Sequence, residues 1–207
     1  MPIEQLISVG KDVLLTMVGI VGACVAVRGL NTWNRQLKGS VEYDLARRIL
    51  KGTYRLRDAI KSVRHPAMSG VEMPAPAEEE AKHMTGEEIY YYGRSRAYQA
   101  RRQKVSDVRT DLRAELLEAE VLWGAELGKR FEALFNLERE LLVAVLSYLS
   151  LCDPKESEAM KAAIQKRRLN ARDIMYDSLE DGGDEFTKDV AQAVASIEDH
   201  LKPHLRR

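Results

Sequence analysis

The fifteen residues from Val13 to Val27 carry no charge, in a chain of which 31% of the residues are charged. As a helix they span about 22 Å, against roughly 30 Å for the hydrocarbon core of a bilayer. Apolar neighbours lengthen the run on both sides, Lys11 can reach towards the lipid headgroups, and Trp33 suits the membrane interface. The sequence therefore predicts an N-terminal transmembrane helix.

Two alternatives for this run stay open. It can be a core helix of a soluble bundle, as shorter apolar runs often are. It can also be a processed signal, since residues 21–24 read Val-Gly-Ala-Cys and resemble a lipobox in which Cys24 is lipidated. A processed signal is less favoured, because no basic cluster precedes the run and the apolar residues continue past Cys24.

The charges on either side of the run predict its orientation. Ten Lys and Arg residues lie between Arg28 and Arg64, and only three acidic residues oppose them. The positive-inside rule then places the C-terminal bulk in the cytoplasm, as expected for a single-pass membrane protein. Four of these residues are predicted to face the anionic inner leaflet: Arg47, Arg48, Lys51 and Arg55.

Small residues recur at helical spacing within the run. Gly19 and Ala23 are four residues apart, as are Gly22 and Ala26, and such pairs let two helices approach closely in lipid. The spacing predicts self-association through the anchor helix. Because Gly and Ala are also common in single spans, a monomeric anchor is the alternative.

The rest of the chain is predicted to be all-α, with an anchor and juxtamembrane segment over 1–38 and a helical bundle over 39–207. An amphipathic helix is expected from Ser40 to about Arg64. A mobile loop rich in Pro and Gly follows at about 66–84. The apolar stripe of the first helix comprises Val41, Leu45, Ile49, Gly52, Leu56, Ile60 and Val63.

One long helix is predicted from about Thr85 to Leu151, because its apolar residues recur every 3.6 positions. Gly124 and Gly128 lie inside it and either allow close helix approach or mark a bend. A helix capped by Asp153 and ending near Glu180 follows, with Met160, Ile164, Ala171, Met175 and Leu179 inward. A last helix starts after Asp184 and stops at Pro203. The stripe of the long helix comprises Val105, Val108, Leu112, Leu116, Ala119, Trp123, Leu127, Phe131, Leu134, Leu137, Leu141, Val145 and Tyr148.

No motif in the sequence predicts catalysis, a cofactor or a metal. His200 and His204 have ligand spacing, but Pro203 lies between them and no second pair accompanies them. Cys24 and Cys152 are too few for a disulfide framework and are expected to pack as small apolar residues.

A second basic segment follows three consecutive tyrosines, Tyr90 to Tyr92. Basic residues interleaved with aromatic ones can hold single-stranded nucleic acid, although the zero net charge of the chain does not favour nucleic acid. The alternative is a solvated helical face or a partner-binding surface. The residues concerned are Arg94, Arg96, Arg101, Arg102 and Lys104.

The residues from Trp33 to Leu50, WNRQLKGSVEYDLARRIL, together with the preceding apolar run and the later ELLEAEVLWG, carry a resemblance. The chain resembles bacterial membrane-anchored helical proteins to which no activity is assigned. The resemblance implies a bacterial inner membrane and supplies no functional residue.

Three hypotheses about function follow from the sequence. The first is a membrane-tethered interaction or scaffold protein whose bundle binds a protein partner without catalysis. The second is a membrane-acting effector, in stress or defence, that oligomerises through its anchor helix. The third is a nucleic-acid contact through residues 94–104.

Overall fold

The computed structural model describes residues 3–169, 171–172, 174–177 and 183–205; for residues 3–16, 18–20, 31 and 34 it describes the backbone alone. Helices account for almost all of the regular structure in these ranges, and no strand occurs among them. The predicted all-α class is therefore confirmed. The helices are α1 (Ile3–Arg64), α2 (Glu78–Ala81), α3 (Gly86–Trp123), α4 (Glu126–Cys152), α5 (Glu158–Arg168) and α6 (Glu185–Leu205).

The chain divides into two compact units, one up to Asp44 and one from Leu45 onwards. The predicted border between anchor and bundle, at residues 38 and 39, lies a few residues earlier. Within the described residues, no helix combines the length and the apolar character needed to cross a membrane. The structure thus supports the helical class and does not support the predicted transmembrane helix. Part of that predicted span, residues 13–16 and 18–20, lies outside the described side chains.

The core of the second unit begins with the last five turns of α1. The predicted stripe is confirmed from Leu45 onwards, whereas Val41 is exposed. Gly52 allows α1 to approach α3 closely, because a Cβ atom there would lie 2.8 Å from Cδ1 of Leu112. The buried stripe residues of α1 are Leu45, Ile49, Leu56, Ile60 and Val63.

The predicted single helix from residue 85 to 151 is wrong, because α3 ends at Trp123 and α4 begins at Glu126. Gly124 has a φ of 79°, which lies outside the helical region and which glycine adopts without steric cost. Its N–H donates to the carbonyl of Glu120 at 2.9 Å, as at the end of a helix. The chain reverses there into an α3–α4 hairpin. All thirteen residues of the predicted stripe are nevertheless buried in the core or packed against it.

The start of α5 also differs from prediction. Ser157, not Asp153, caps the helix, and its hydroxyl accepts from the N–H of Met160 at 3.3 Å. The helix ends at Arg168 rather than near Glu180, so Ala171 and Met175 lie in the segment after it. Met160 and Ala171 are exposed rather than inward, Ile164 is half-buried, Met175 is buried, and Leu179 lies outside the described residues.

The start and the inward face of α6 agree with prediction. Asp184 accepts from the N–H of Thr187 at 2.8 Å, and the inward residues Phe186, Val190, Val194, Ile197 and Leu201 are buried. Pro203 lies within the last turn and does not end the helix.

Candidate functional site

The basic segment from Arg94 to Lys104 lies entirely on α3, and helical geometry divides it between different faces. Arg94 and Arg101 are seven residues apart, so both point to the same side. Arg96 and Arg102 point elsewhere, and Lys104 is exposed. The five side chains that are clustered in sequence therefore do not form one surface.

Arg101 is a structural residue, with only 4% of its surface exposed. It donates to the carbonyls of His65 and Ala67 at 2.7 and 2.8 Å and to both carboxylate oxygens of Glu72. Chiefly through these hydrogen bonds, Arg101 lowers the pKa of Glu72 to about 2. These bonds tie residues 65–72 of the predicted loop to α3, while the mobility of the loop stays a prediction.

Arg94 is also bound within the protein. Its Nη1 donates to the hydroxyl of Tyr148 at 2.6 Å and lies 3.6 Å from Sγ of Cys152, while its Nη2 donates to Tyr90. The guanidinium carbon stands 4.3 Å from the centre of the Tyr90 ring. Burial raises the pKa of the Tyr148 hydroxyl, which therefore stays protonated as a partner for Arg94.

Arg96 and Arg102 line a groove between α3 and α4, and Arg109 joins them there. The groove has a volume of about 680 Å³, which falls within the range of ligand-binding cavities. Arg109 forms an ion pair with the buried Glu138 of α4 at 2.7 Å. Arg96 lies 5.2 Å from the ring centre of Tyr92 and donates to Gln99 at 3.3 Å. The groove thus holds three positive charges and one negative charge.

Two buried donors in this groove are unsatisfied. The Nε atoms of Arg102 and Arg109 are hidden from solvent and, among the described residues, have no hydrogen-bond partner. Oε2 of Glu138, which forms the ion pair with Arg109, also accepts no hydrogen bond. Buried donors of this kind are uncommon in folded proteins and usually mark a missing partner. The groove is therefore the candidate binding site of the second unit.

Sequence reasoning found Arg96 and Arg102 but missed Arg109 and Glu138. The signal for Arg109 was present, because it lies seven residues after Arg102 and hence two turns along the same face of α3. Glu138 also had a signal, since it lies four residues after Leu134 and three before Leu141 on the buried face of α4. Its pairing with Arg109 had none.

Arg64 and the oxygens that it contacts form a buried cluster, which joins the end of α1 to the segment before α6. No sequence pattern indicated this cluster. Arg64 is 2% exposed and donates to the carbonyls of Ile174 and Tyr176, both at 2.8 Å, to the Thr187 hydroxyl at 2.7 Å, and to Asp184. Burial would raise the pKa of Asp184, but hydrogen bonds from Arg64 and Thr187 outweigh it and leave that pKa lowered. Four of the five N–H groups of Arg64 donate to protein oxygens, and Asp177 adds an ion pair at 3.5 Å, so the cluster has a structural role.

A second, more apolar groove of about 700 Å³ lies between α4 and α5. Its lining includes Val143 and Leu169, which are among the exposed large apolar residues of the chain. Arg172, on its edge, is held by Glu140 and Asp189. The groove offers apolar contact. Glu140 and Arg172 in its lining pair with each other, whereas Arg167 and Arg168 form no ion pair among the described residues.

The residues predicted to face lipid are only partly available. Arg47, Lys51 and Arg55 are exposed. Arg48 donates to Glu115 at 2.8 Å and to Glu118 at 2.7 Å, so it links α1 to α3. Contact of these residues with lipid stays a prediction.

The small residues of the predicted anchor lie on helix α1. Gly22, Ala23 and Ala26 are exposed, and a Cβ atom on Gly22 would meet nothing within 4 Å. Gly19 belongs to the residues described by backbone alone. Packing of this face against a second copy stays a prediction.

In comparisons with known proteins, no family model matches this chain, and neither a curated protein nor a solved structure is significantly similar to it. Within the described ranges, no group of three or more His, Cys, Asp or Glu side chains is placed to hold a metal ion.

Proposed function

We propose that this chain is a membrane-tethered interaction protein whose helical bundle binds a protein partner without catalysis. One observation supports the tether: the large apolar side chains of the first unit lie open to solvent. Contiguous exposed apolar surface is unfavourable in water and is typical of membrane or protein contact. The side chains are Met17, Val21, Val25, Val27, Leu30, Trp33 and Leu37, each between 57% and 67% exposed.

The sequence around these residues favours a membrane over a protein surface. The uncharged run from Val13 to Val27 ends at Arg28, and the following positive charges are those that a cytoplasmic leaflet attracts. The proposed location is the bacterial inner membrane, with the C-terminal bundle in the cytoplasm. Lipid of the inner leaflet would then be one partner and a cytoplasmic protein the other.

Membrane fractionation tests the tether. We expect the wild-type chain in the membrane fraction and the double variant Val21→Lys plus Val25→Lys in the supernatant, because two charges in the run disfavour lipid insertion. Val121→Lys is the matched control: Val121 is 86% exposed on α3, so its change removes an apolar group without touching the run. A wild-type chain that remains in the supernatant contradicts the tether.

Fusions to the C-terminus test the orientation. If the C-terminus lies in the cytoplasm, we expect the fusion to a fluorescent protein to fluoresce and the fusion to alkaline phosphatase to be inactive. An active phosphatase would place the bundle outside the cytoplasm and make Cys24 a candidate for lipidation again.

A second candidate is a membrane-acting effector that assembles through its anchor helix. The exposed Gly22, Ala23 and Ala26 favour it, because they leave one face of the helix free for close approach. Strong expression should then depolarise the membrane, and Gly22→Ile should abolish the effect while Val27→Ile leaves it intact. Cells that keep their membrane potential during expression would contradict this candidate.

A further inference from the structure

The α3–α4 groove has two walls of opposite character. The α3 wall is polar and cationic, with Arg96, Arg102 and Arg109 separated by Gln and Ser side chains. The α4 wall is mostly apolar: Leu142 and Leu149 are half-buried, Leu141 and Val145 lie buried behind them, and Glu138 is the charged residue that α4 contributes to the lining. A ligand that fills this groove must be acidic on one side and apolar on the other.

The spacing of the three arginines sets the length of that ligand. Thirteen residues separate Arg96 from Arg109, which corresponds to about 20 Å along a helix. The two helices run antiparallel, because Arg109 pairs with Glu138 while Arg94 contacts Tyr148. The apolar wall of α4 therefore accompanies the cationic wall of α3 through the middle of the groove. A single small anion can contact only one of the outer arginines.

The charges in the groove are only partly balanced from within. Glu138 pairs with Arg109, whereas Arg102 forms no ion pair, and its Nε–H donates to no acceptor, among the described residues. A guanidinium group that is partly buried and unpaired is stabilised by an incoming carboxylate, which accepts charge-assisted hydrogen bonds from it. We therefore expect a carboxylate of the ligand to stabilise Arg102 more than the other two arginines of the groove.

We propose that the α3–α4 groove binds an acidic amphipathic helix of a partner protein. Such a helix places carboxylates on one face and apolar residues on the other, with a repeat that matches the rise of α3. Twelve to fourteen helical residues would cover the distance from Arg96 to Arg109. The proposal rests on the function proposed above and names the chemistry of the protein partner.

Two other ligands match the groove less well. A fatty acid would use the apolar wall but offers one carboxylate to three spaced arginines. Single-stranded nucleic acid would use the charges, but its binding depends on aromatic platforms, and Tyr92 is the aromatic residue in the lining. The apolar α4 wall would remain uncovered by a phosphate backbone. Both ligands serve as arms of the test.

The test uses the full chain in detergent and a displayed library of 18-residue peptides with Leu, Ile and Val on one helical face and Glu and Asp on the other. The matched library carries Lys and Arg in place of the acids. We expect binders from the acidic library alone. Enrichment of the basic library, or of neither library, overturns the proposal.

Binding of selected peptides is then measured by fluorescence anisotropy against two variants of α3. Arg102→Gln removes a groove cation that makes no described internal bond, so the fold is expected to persist, and its helical circular dichroism is the check. We expect the dissociation constant to rise about tenfold, as the loss of charge-assisted hydrogen bonds implies. Lys104→Gln removes one exposed charge from the same helix outside the groove and should leave affinity unchanged.

Equal affinity for wild-type and Arg102→Gln protein would overturn the proposal. So would oleate or oligo-dT binding that Arg102→Gln abolishes, if no acidic peptide binds. Because the assay requires no membrane, its failure is distinct from a failure of the tether. Membrane fractionation tests the tether, and peptide binding tests the groove.

Discussion

Arg101 and Glu72 form a bidentate ion pair across 29 residues of sequence. Nε and Nη2 of Arg101 donate to the two carboxylate oxygens of Glu72 at 3.0 and 2.9 Å. Two further bonds reach the carbonyls of His65 and Ala67. A planar guanidinium matches this geometry, and an ammonium group does not. The pair therefore holds the loop after α1 against the middle of α3.

Substitution of Arg101 by Gln should lower the free energy of unfolding by about 2–3 kcal/mol, because hydrogen bonds to a charged group are lost and buried acceptors remain unpaired. Urea unfolding followed by circular dichroism measures it. Lys104→Gln, on the same helix but exposed, should change stability little. Equal effects of the two substitutions would contradict a structural role for Arg101.

The Arg101–Glu72 pair should make stability depend on acid pH. The hydrogen bonds of Arg101 lower the pKa of Glu72 from 4.5 to about 2. A carboxylate whose pKa is lowered by folding stabilises the folded state above the unfolded pKa, and that contribution is lost as pH falls towards the folded value. We expect Glu72→Gln to flatten the loss of stability between pH 4.5 and 2. Glu79→Gln, at an exposed site beside Lys82, should keep the wild-type profile.

Arg64→Met should destabilise the chain by about 3–5 kcal/mol, since it removes a buried cation and leaves its partner oxygens unpaired. Asp184→Asn should partly relieve the defect, so the double variant is expected to lose less than the sum of the two single losses. Thermal and urea unfolding of the wild type, the two single variants and the double variant gives the coupling free energy between Arg64 and Asp184. Arg57→Met, on the exposed side of the same helix, is the control. Strict additivity would contradict a coupled cluster.

Two glycines near the α3–α4 turn should respond in opposite ways to alanine. Gly124 has φ 79° and ψ −177°, a region that is nearly closed to other residues, so Gly124→Ala should cost about 1–3 kcal/mol. Gly128 is helical and a Cβ atom there meets nothing within 4 Å, so Gly128→Ala should stabilise by about 1 kcal/mol. Urea unfolding measures both. A neutral Gly124→Ala would mean that the turn does not depend on its conformation.

The apolar stripe of residues 105–148 illustrates both the strength and the limit of periodicity. Every residue of that stripe lies in or against the core, as its 3.6-residue spacing predicts. The same spacing concealed the break at Gly124. When a helix folds back on itself with a short turn, both arms present their apolar faces to one core, so the period continues through the reversal.

The candidate groove was predictable only in part. Arg96 and Arg102 belonged to a basic segment that the sequence singled out, but so did Arg94 and Arg101, which the fold uses internally. Composition does not distinguish these arginines. Their positions around α3 do, together with what α4 and the loop after α1 place opposite them.

By itself, the sequence determined the helical class and the buried faces of α3, α4 and α6, because apolar periodicity, glycines and caps act over a few residues. Only the tertiary structure decided that the long stripe folds at Gly124, that Arg64 and Arg101 become buried, and that Arg96, Arg102 and Arg109 share one groove. The burial of the two arginines and the shared groove depend on partners such as Asp184, Glu72 and Glu138. Such partners lie dozens of residues away, and no local pattern brings them together.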